Sequence, residues 1–221
     1  AVDSMTGLLT KKAFLKLLRG RFKDYREKRE EVSFITWDVD MFLRINQTFG
    51  RKVGDEVIRW QAEMAKEKLG KNAIISRIGG DEVAAVIPQM SREQALLLME
   101  KVRIGFEAEL APHLEKKFGI TIAEPITITI GISALPIDGR SPTELFRKAD
   151  EALYHAKVAG RNRVKLAQAG NMVTKTSHYT QSQLERLTIL SKEMDINEAE
   201  LLREAMDDLL LKYQSSDFLD L

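Results

Sequence analysis

Ala73-Ile74-Ile75-Ser76-Arg77-Ile78-Gly79-Gly80-Asp81-Glu82-Val83-Ala84-Ala85-Val86-Ile87 is the stretch that decides the fold. Two short apolar runs, 73–78 and 83–87, flank a Gly79-Gly80-Asp81-Glu82 tetrapeptide. Paired glycines supply the backbone freedom of a tight reversal, so the segment predicts an antiparallel hairpin carrying two carboxylates at its tip. A hairpin needs a sheet around it. Upstream, Val32-Ser33-Phe34-Ile35-Thr36-Trp37 is β-branched and aromatic and ends abruptly in Asp38-Val39-Asp40. Downstream, Ile126 to Ile132 alternates apolar with polar for most of its length, the period of a half-buried strand.

Helices fill the intervals. Lys11 to Arg29 is amphipathic through Phe14, Leu15, Leu17, Leu18 and Phe22. A short helix is predicted over Met41 to Phe49, then a break from Gly50 to Gly54, then a helix from Asp55 to Leu69. Ser91 through about Leu114 is helical, and Ser141-Pro142-Thr143-Glu144 opens a last helix with a capping box and a first-turn proline, closing at Gly160. The order α-β-α-α-β-β-α-β-α implies one sheet with helices packed on it, an α+β or α/β domain.

Composition bounds the chemistry. The chain has 221 residues, 44% hydrophobic and 30% charged, enough to bury a core. Cysteine is absent, which rules out a disulfide framework, a thiol nucleophile and a Cys-based zinc site. Three scattered histidines make a His-built metal site a poor expectation. No apolar run reaches the roughly 18 residues of a membrane span and no signal-peptide pattern opens the sequence, so a cytoplasmic home is expected. The net charge of +1 divides unevenly: residues 167–221 carry about −5 and the rest about +6. The basic part is where an anionic nucleotide would be welcome.

A second unit follows a small, polar connector at 167–172. Thr174 to Tyr179 reads as extended, and two helices come after it, opened by Thr180 with Gln183 and by Asn197 with Glu200. Leu184, Leu187, Leu190 and Met194 line one face of the first; Leu201, Leu202, Ala205, Leu209 and Leu210 line the second. Some forty residues cannot bury such faces alone, so this unit is expected to dimerise or dock.

Asp38, at the end of a strand, and Asp81 with Glu82, at a hairpin tip, can converge on one hard cation that shares its coordination with phosphates. Equally, Asp38 can serve as a helix cap and Asp81 as a turn residue. Asp40 is read as the cap of the next helix. Asp55 has its own bland reading as a helix cap, and Asn46 as a polar residue on a short helix.

Gly79-Gly80-Asp81-Glu82-Val83 resembles the signature of the GGDEF diguanylate cyclases. Asp3-Ser4-Met5-Thr6-Gly7-Leu8 resembles that family's opening motif. Asp38-Val39-Asp40-Met41-Phe42, with Ile45-Asn46, Phe49-Gly50 and Gly54-Asp55, is similar to its second. Ala149-Asp150-Glu151-Ala152-Leu153-Tyr154, Ala156-Lys157 and Gly160-Arg161-Asn162 are similar to its closing one. The resemblance spans about residues 3–166 and implies a ferredoxin-like palm that condenses two GTP into cyclic di-GMP. It implies that Asp38, the Val39 carbonyl and Asp81 hold Mg²⁺ or Mn²⁺ with Glu82 close by. Met41 and Phe42 backbone groups, Lys157 and Arg161 would bind phosphates, and Asn46 with Asp55 would read guanine. A carboxylate accepts from guanine N1–H and the exocyclic amine, whereas adenine presents a bare acceptor at N1. Lys157 and Arg161 also suit a helix C-terminus as plain favourable charge.

Four positions depart from the family pattern. Leu43 stands where lysine is usual, with Arg44 as a possible substitute. Val83 replaces the signature phenylalanine. Gly70 and Ala73 occupy the places of the R-x-x-D product-inhibition motif, so that site is expected to be absent. Residues 173–213, before a 214–221 tail, resemble a ribbon-helix-helix domain, which implies a homodimer paired through its strands. Thr174, Thr176 and His178 would then face outward toward any DNA, with Lys175 helping. The acidic charge of this unit argues against DNA. Two functions compete: an active cyclase paired by its C-terminal unit, and a GTP or cyclic di-GMP sensor attached to a ribbon-helix-helix regulator. A third, blander reading makes the tail a partner-binding dimer module with no DNA role.

Overall fold

The computed structural model describes residues 1–168, 175–194 and 196–214, without the side chains of 207 and 210–214. The chain divides into two compact units, Ala1–Gln168 and Ala169–Leu221.

In the first unit, β1 (Leu9–Thr10), β2 (Val32–Val39), β3 (Ile74–Arg77), β4 (Val83–Pro88), β5 (Ile128–Leu135) and β6 (Val164–Leu166) form a six-stranded sheet in the order β1-β3-β4-β2-β5-β6. The predicted hairpin is present: β3 and β4 pair antiparallel from Ile74↔Val86 to Arg77↔Val83. β2 lies between β4 and β5, antiparallel to both. Two edge strands escaped the sequence. β1 adds two residues parallel to β3, and β6 adds three parallel to β5, too short for a periodicity to show.

α1 (Lys11–Glu27) and α5 (Pro142–Val158) cover one face; α3 (Arg51–Lys68) and α4 (Arg92–Phe118) cover the other. β2 is buried along its whole length because alternate residues feed both cores. Val32 and Phe34 join Phe14, Leu18 and Phe22 of α1, while Ile35, Trp37 and Val39 join Val57 of α3 and Phe106 of α4. Each such large apolar side chain contributes about 1.5–3 kcal/mol of transfer free energy. β5 is likewise buried on both faces, not the half-buried strand its alternation predicted. Its polar residues are covered by α5, and Ser133 Oγ donates to the Leu145 carbonyl. The cover sits close: a Cβ at Gly131 would stand 2.0 Å from the Ala149 carbonyl oxygen and 2.4 Å from Leu153 N.

Two helices differ from their predicted extents. α3 begins at Arg51, directly after Gly50, so Gly54 and Asp55 lie inside it. The two glycines that suggested a loop have separate jobs: Gly50 takes φ 87°, and Gly54 makes room for α2 (Phe42–Phe49). α4 runs on through Pro112 to Phe118 and ends at Gly119 with φ 64°. The proline forfeits one backbone hydrogen bond. Burial of Phe106, Leu110 and Leu114 on the sheet holds the helix together there. So does Glu56 of α3, which accepts from His113 Nε2 and Lys117 Nζ, both at 2.7 Å.

In the second unit α6 (Gln181–Met194) and α7 (Glu198–Gln214) form the expected helix pair. Both predicted caps are made: Thr180 and Gln183 satisfy each other's backbone N–H, and Asn197 Oδ1 accepts from Glu200 N–H. Residues 175–180 are in no strand or helix. Leu184, Leu190 and Met194 are exposed along α6, whereas Leu201 of α7 is buried; the Leu210 side chain lies outside the described residues.

Candidate active site

β2 ends on the face covered by α5, and Asp38 is its last residue on that side. It is 7% exposed, and its Oδ2 is ion-paired with Lys157 Nζ from the last turn of α5. Its Oδ1 is buried and has no hydrogen-bond partner. Burial drives the Asp38 carboxyl up to about 6, against the opposing pull of Lys157.

Asp81 comes in from the β3–β4 turn. Its Oδ2 accepts from the Val39 N–H at 3.1 Å, and its backbone carbonyl accepts from Gln61 Nε2 at 2.8 Å. Burial raises this carboxyl too. The turn is tight because a Cβ at Gly79 would stand 2.5 Å from Glu82 Oε2; the Glu82 side chain folds back over that glycine. The next carbonyl, Gly80, accepts from Arg77 Nε and Nη2, and Arg77 Nη1 reaches Asp3 of the opening motif at 3.2 Å.

α2 opens without a side-chain cap. Met41 is the N-cap residue, in the left-handed region at φ 55°, so the first N–H groups of the helix are not satisfied by a capping side chain. Asp40 does not cap it, contrary to the sequence expectation. The Asp40 carboxylate turns to β5 and the turn after α5, accepting from Thr127 Oγ1, Thr129 Oγ1 and Asn162 N–H.

A cavity of about 510 Å³ lies among these groups. Asp38, Val39, Met41, Phe42, Asp81, Lys157 and Arg161 all line it, along with Asp40, Leu43, Arg44 and Gln47. The residues that the resemblance assigns to metal and phosphate thus share one hollow, lined by Asp38, Asp40 and Asp81 and by the cations Arg44, Lys157 and Arg161. Leu43 is 69% exposed at its rim. Arg44, one residue on, lines the same cavity. Glu82 is not a lining residue. Asn46 and Asp55 are not either: Asn46 projects from α2 against Gly54, where a Cβ would stand 1.8 Å from its Oδ1. Asp55 is in the second turn of α3 and is not a cap.

Gln61 and Arg77 were missed in the sequence. Gln61 reaches a carbonyl 20 residues away and Arg77 a carboxylate 74 residues away, contacts that leave no local signal. Among the described residues, no group of three or more His, Cys, Asp or Glu stands at metal-binding spacing. The donor set is one or two carboxylates with an open oxygen, which fits Mg²⁺ or Mn²⁺ sharing its shell with water and phosphates and does not fit a closed all-protein cage. In the second unit Thr176 and His178 are exposed; Thr174 lies outside the described residues. Lys71, Asn72 and Ala73 line a separate cavity of about 720 Å³, behind α1. No helix among the described residues is long and apolar enough to cross a membrane.

The sheet order, the signature turn and this hollow define a GGDEF domain, and residues 1–163 match the family described as "Diguanylate cyclase, GGDEF domain". The chain belongs to that family, with an α+β GGDEF fold, and residues 173–214 match the ribbon-helix-helix domain. It is 32% identical over 165 residues to the probable diguanylate cyclase DgcC of Escherichia coli strain K12, covering 75% of this chain and 43% of that protein. It is 31% identical over 164 residues to the response regulator PleD of Caulobacter vibrioides, covering 73% and 35%. The chain therefore spans under half the length of these curated relatives. Among solved structures, the GGDEF domain of TpbB (YfiN) from Pseudomonas aeruginosa superposes with a TM-score of 0.69 at 30% identity, covering 76% of this chain and 95% of that one. The GGDEF domain of DgcB from Caulobacter crescentus, in complex with c-di-GMP, gives 0.68 at 26% identity, covering 76% and 93%.

Proposed function

We propose that the protein is a diguanylate cyclase, condensing two GTP into cyclic di-GMP with loss of two pyrophosphates. The observation that carries this reading is the buried, unpartnered Oδ1 of Asp38, set beside Asp81 in a hollow ringed by Lys157, Arg161 and the open N-terminus of α2. A buried carboxylate oxygen without a partner is costly unless a cation completes it.

Asp38, the Val39 carbonyl and Asp81 would hold the divalent cation, with Glu82 nearby. When bound, it would supply charge at the α-phosphate and lower the pKa of the attacking 3′-hydroxyl. Met41 and Phe42 N–H groups, at the positive end of α2, orient the phosphates. Lys157 releases Asp38 and, with Arg161, neutralises the leaving pyrophosphate. The 3′-oxygen forms a bond to phosphorus, the bond to the β-phosphate oxygen breaks, and the hydroxyl proton leaves to solvent. Asn46 and Asp55 would accept from the guanine edge. Closing the ring takes the reaction twice, once from each of two protomers, and the C-terminal unit supports that pairing. Its exposed Leu184, Leu190 and Met194 give a monomer an apolar face to cover.

Chromatography of the products after incubation with GTP and Mg²⁺, with ATP as control, tests the reading. Cyclic di-GMP from GTP alone upholds it. Bound nucleotide without product would move the function to sensing, with Leu43 as the reason.

A further inference from the structure

Asp38 and Asp40 sit two residues apart and are used differently. Asp38 keeps an open oxygen, whereas both oxygens of Asp40 are engaged. Asp40 Oδ1 accepts from Thr129 Oγ1 at 2.6 Å. Its Oδ2 accepts from Thr127 Oγ1 at 2.7 Å and from Asn162 N–H at 3.1 Å. Thr129 Oγ1 receives the same Asn162 N–H at 3.0 Å. On its far side, Asn162 Oδ1 accepts from Arg103 Nη1 at 2.7 Å, and Arg103 is itself ion-paired with Glu100 and Glu107 of α4.

What this network fixes is an unfavourable turn. Arg161 and Asn162 are adjacent left-handed residues, at φ 61° and 44°, although neither is glycine. Asparagine tolerates that region; arginine, with its Cβ and long side chain, visits it rarely. Such a conformation persists only where surrounding bonds over-determine it, and it belongs where a side chain must be aimed. Arg161 is so aimed, since it lines the cavity with Lys157. The charged acceptor holding the turn is Asp40, and charge-assisted bonds are the strong ones.

We propose that Asp40 is a positioning residue: through Thr129 and the Asn162 N–H it locks the 160–163 turn in the conformation that directs Arg161 at the substrate's polyphosphate. The proposal rests on the cavity being a nucleoside-triphosphate site. Asp40 also lines the cavity, but both its carboxylate oxygens are taken by Thr127, Thr129 and the Asn162 N–H, so its effect passes through Arg161.

The test is equilibrium binding of α,β-methylene GTP, which cannot release pyrophosphate, and of guanosine, to the full chain. Asp40→Asn, Arg161→Ala and the double variant are compared. Each single change is expected to weaken the triphosphate analogue about tenfold. The double variant is no weaker than either, and guanosine affinity stays within about twofold. Additive losses, an equal loss of guanosine, or a cooperatively folded Asp40→Asn that binds the analogue as the parent does would each overturn the proposal. If Asp40→Asn does not melt cooperatively, Thr129→Val decides. It removes one hydroxyl shared by Asp40 and Asn162, and an unchanged ratio of analogue to guanosine affinity overturns the proposal. Failure of the parent protein to bind either ligand would instead remove the nucleotide reading, and this proposal with it.

Discussion

Lys157 Nζ and Asp38 Oδ2 form an ion pair that ties the last turn of α5 to the end of β2. The pair does not rescue Asp38 from burial, for its carboxyl still titrates near 6, above the usual 3.8. A carboxyl whose folded pKa lies above its unfolded one binds more protons in the folded state between those values. Metal-free protein therefore loses stability from this group as pH rises from about 4 to about 6, and carries the full cost above that. Asp38→Asn should raise the melting temperature by a few degrees at pH 7.5 in EDTA and by much less at pH 4. An equal change at both pH values would refute the buried-charge account.

Asp81 binds the Val39 N–H and sits on a turn whose backbone is independently held by Gln61 and Arg77. Asp81→Asn should leave the fold and the oligomeric state intact while cutting cyclic di-GMP formation by at least about a thousandfold. Product formation at the parental rate, followed by chromatography, would remove Asp81 from the metal site.

Much of this was legible in advance, for particular reasons. The β3–β4 hairpin showed because two apolar runs flank a Gly-Gly turn, and the end of β2 because acidic residues cut off a β-branched run. Asp40 was misjudged as a cap because the sequence shows only its neighbours along the chain. Its real partners, Thr127, Thr129 and Asn162, lie 87 to 122 residues away. Gln61 was invisible for the same reason. The start of α3 was misplaced because Gly54 looked like a helix breaker, when its missing side chain is what α2 packs against.

Leu43 lines the cavity and is 69% exposed, so its side chain is not needed by the core. Leu43→Lys should tighten GTP binding several-fold at low salt, an advantage that fades as ionic strength rises. Titration at two salt concentrations checks this. No gain at low salt would mean that Arg44 already serves the phosphates.

The exposed leucines of α6 predict that the second unit holds the protein together in pairs. A chain ending at residue 168 should sediment as a monomer at micromolar concentration where the full chain is a dimer. Its rate of product formation should then rise with the square of protein concentration. A full chain that is monomeric would leave α6 and α7 without a pairing role.

Gly54 offers a way to separate recognition from stability. In a helix interior, alanine is favoured over glycine by about 1 kcal/mol, so Gly54→Ala ought to stabilise α3 on propensity alone. The added Cβ, however, would stand 1.8 Å from Asn46 Oδ1 and 3.3 Å from Phe42 Cζ, so Asn46 must swing away while α3 stays. If Asn46 reads guanine together with Asp55, the variant keeps its melting temperature within a few degrees yet loses about tenfold or more of its preference for GTP over ATP. Competition binding with the two nucleotides measures that ratio. A variant with unaltered preference would show that Asn46 is there to pack α2 on α3, and that guanine is read elsewhere.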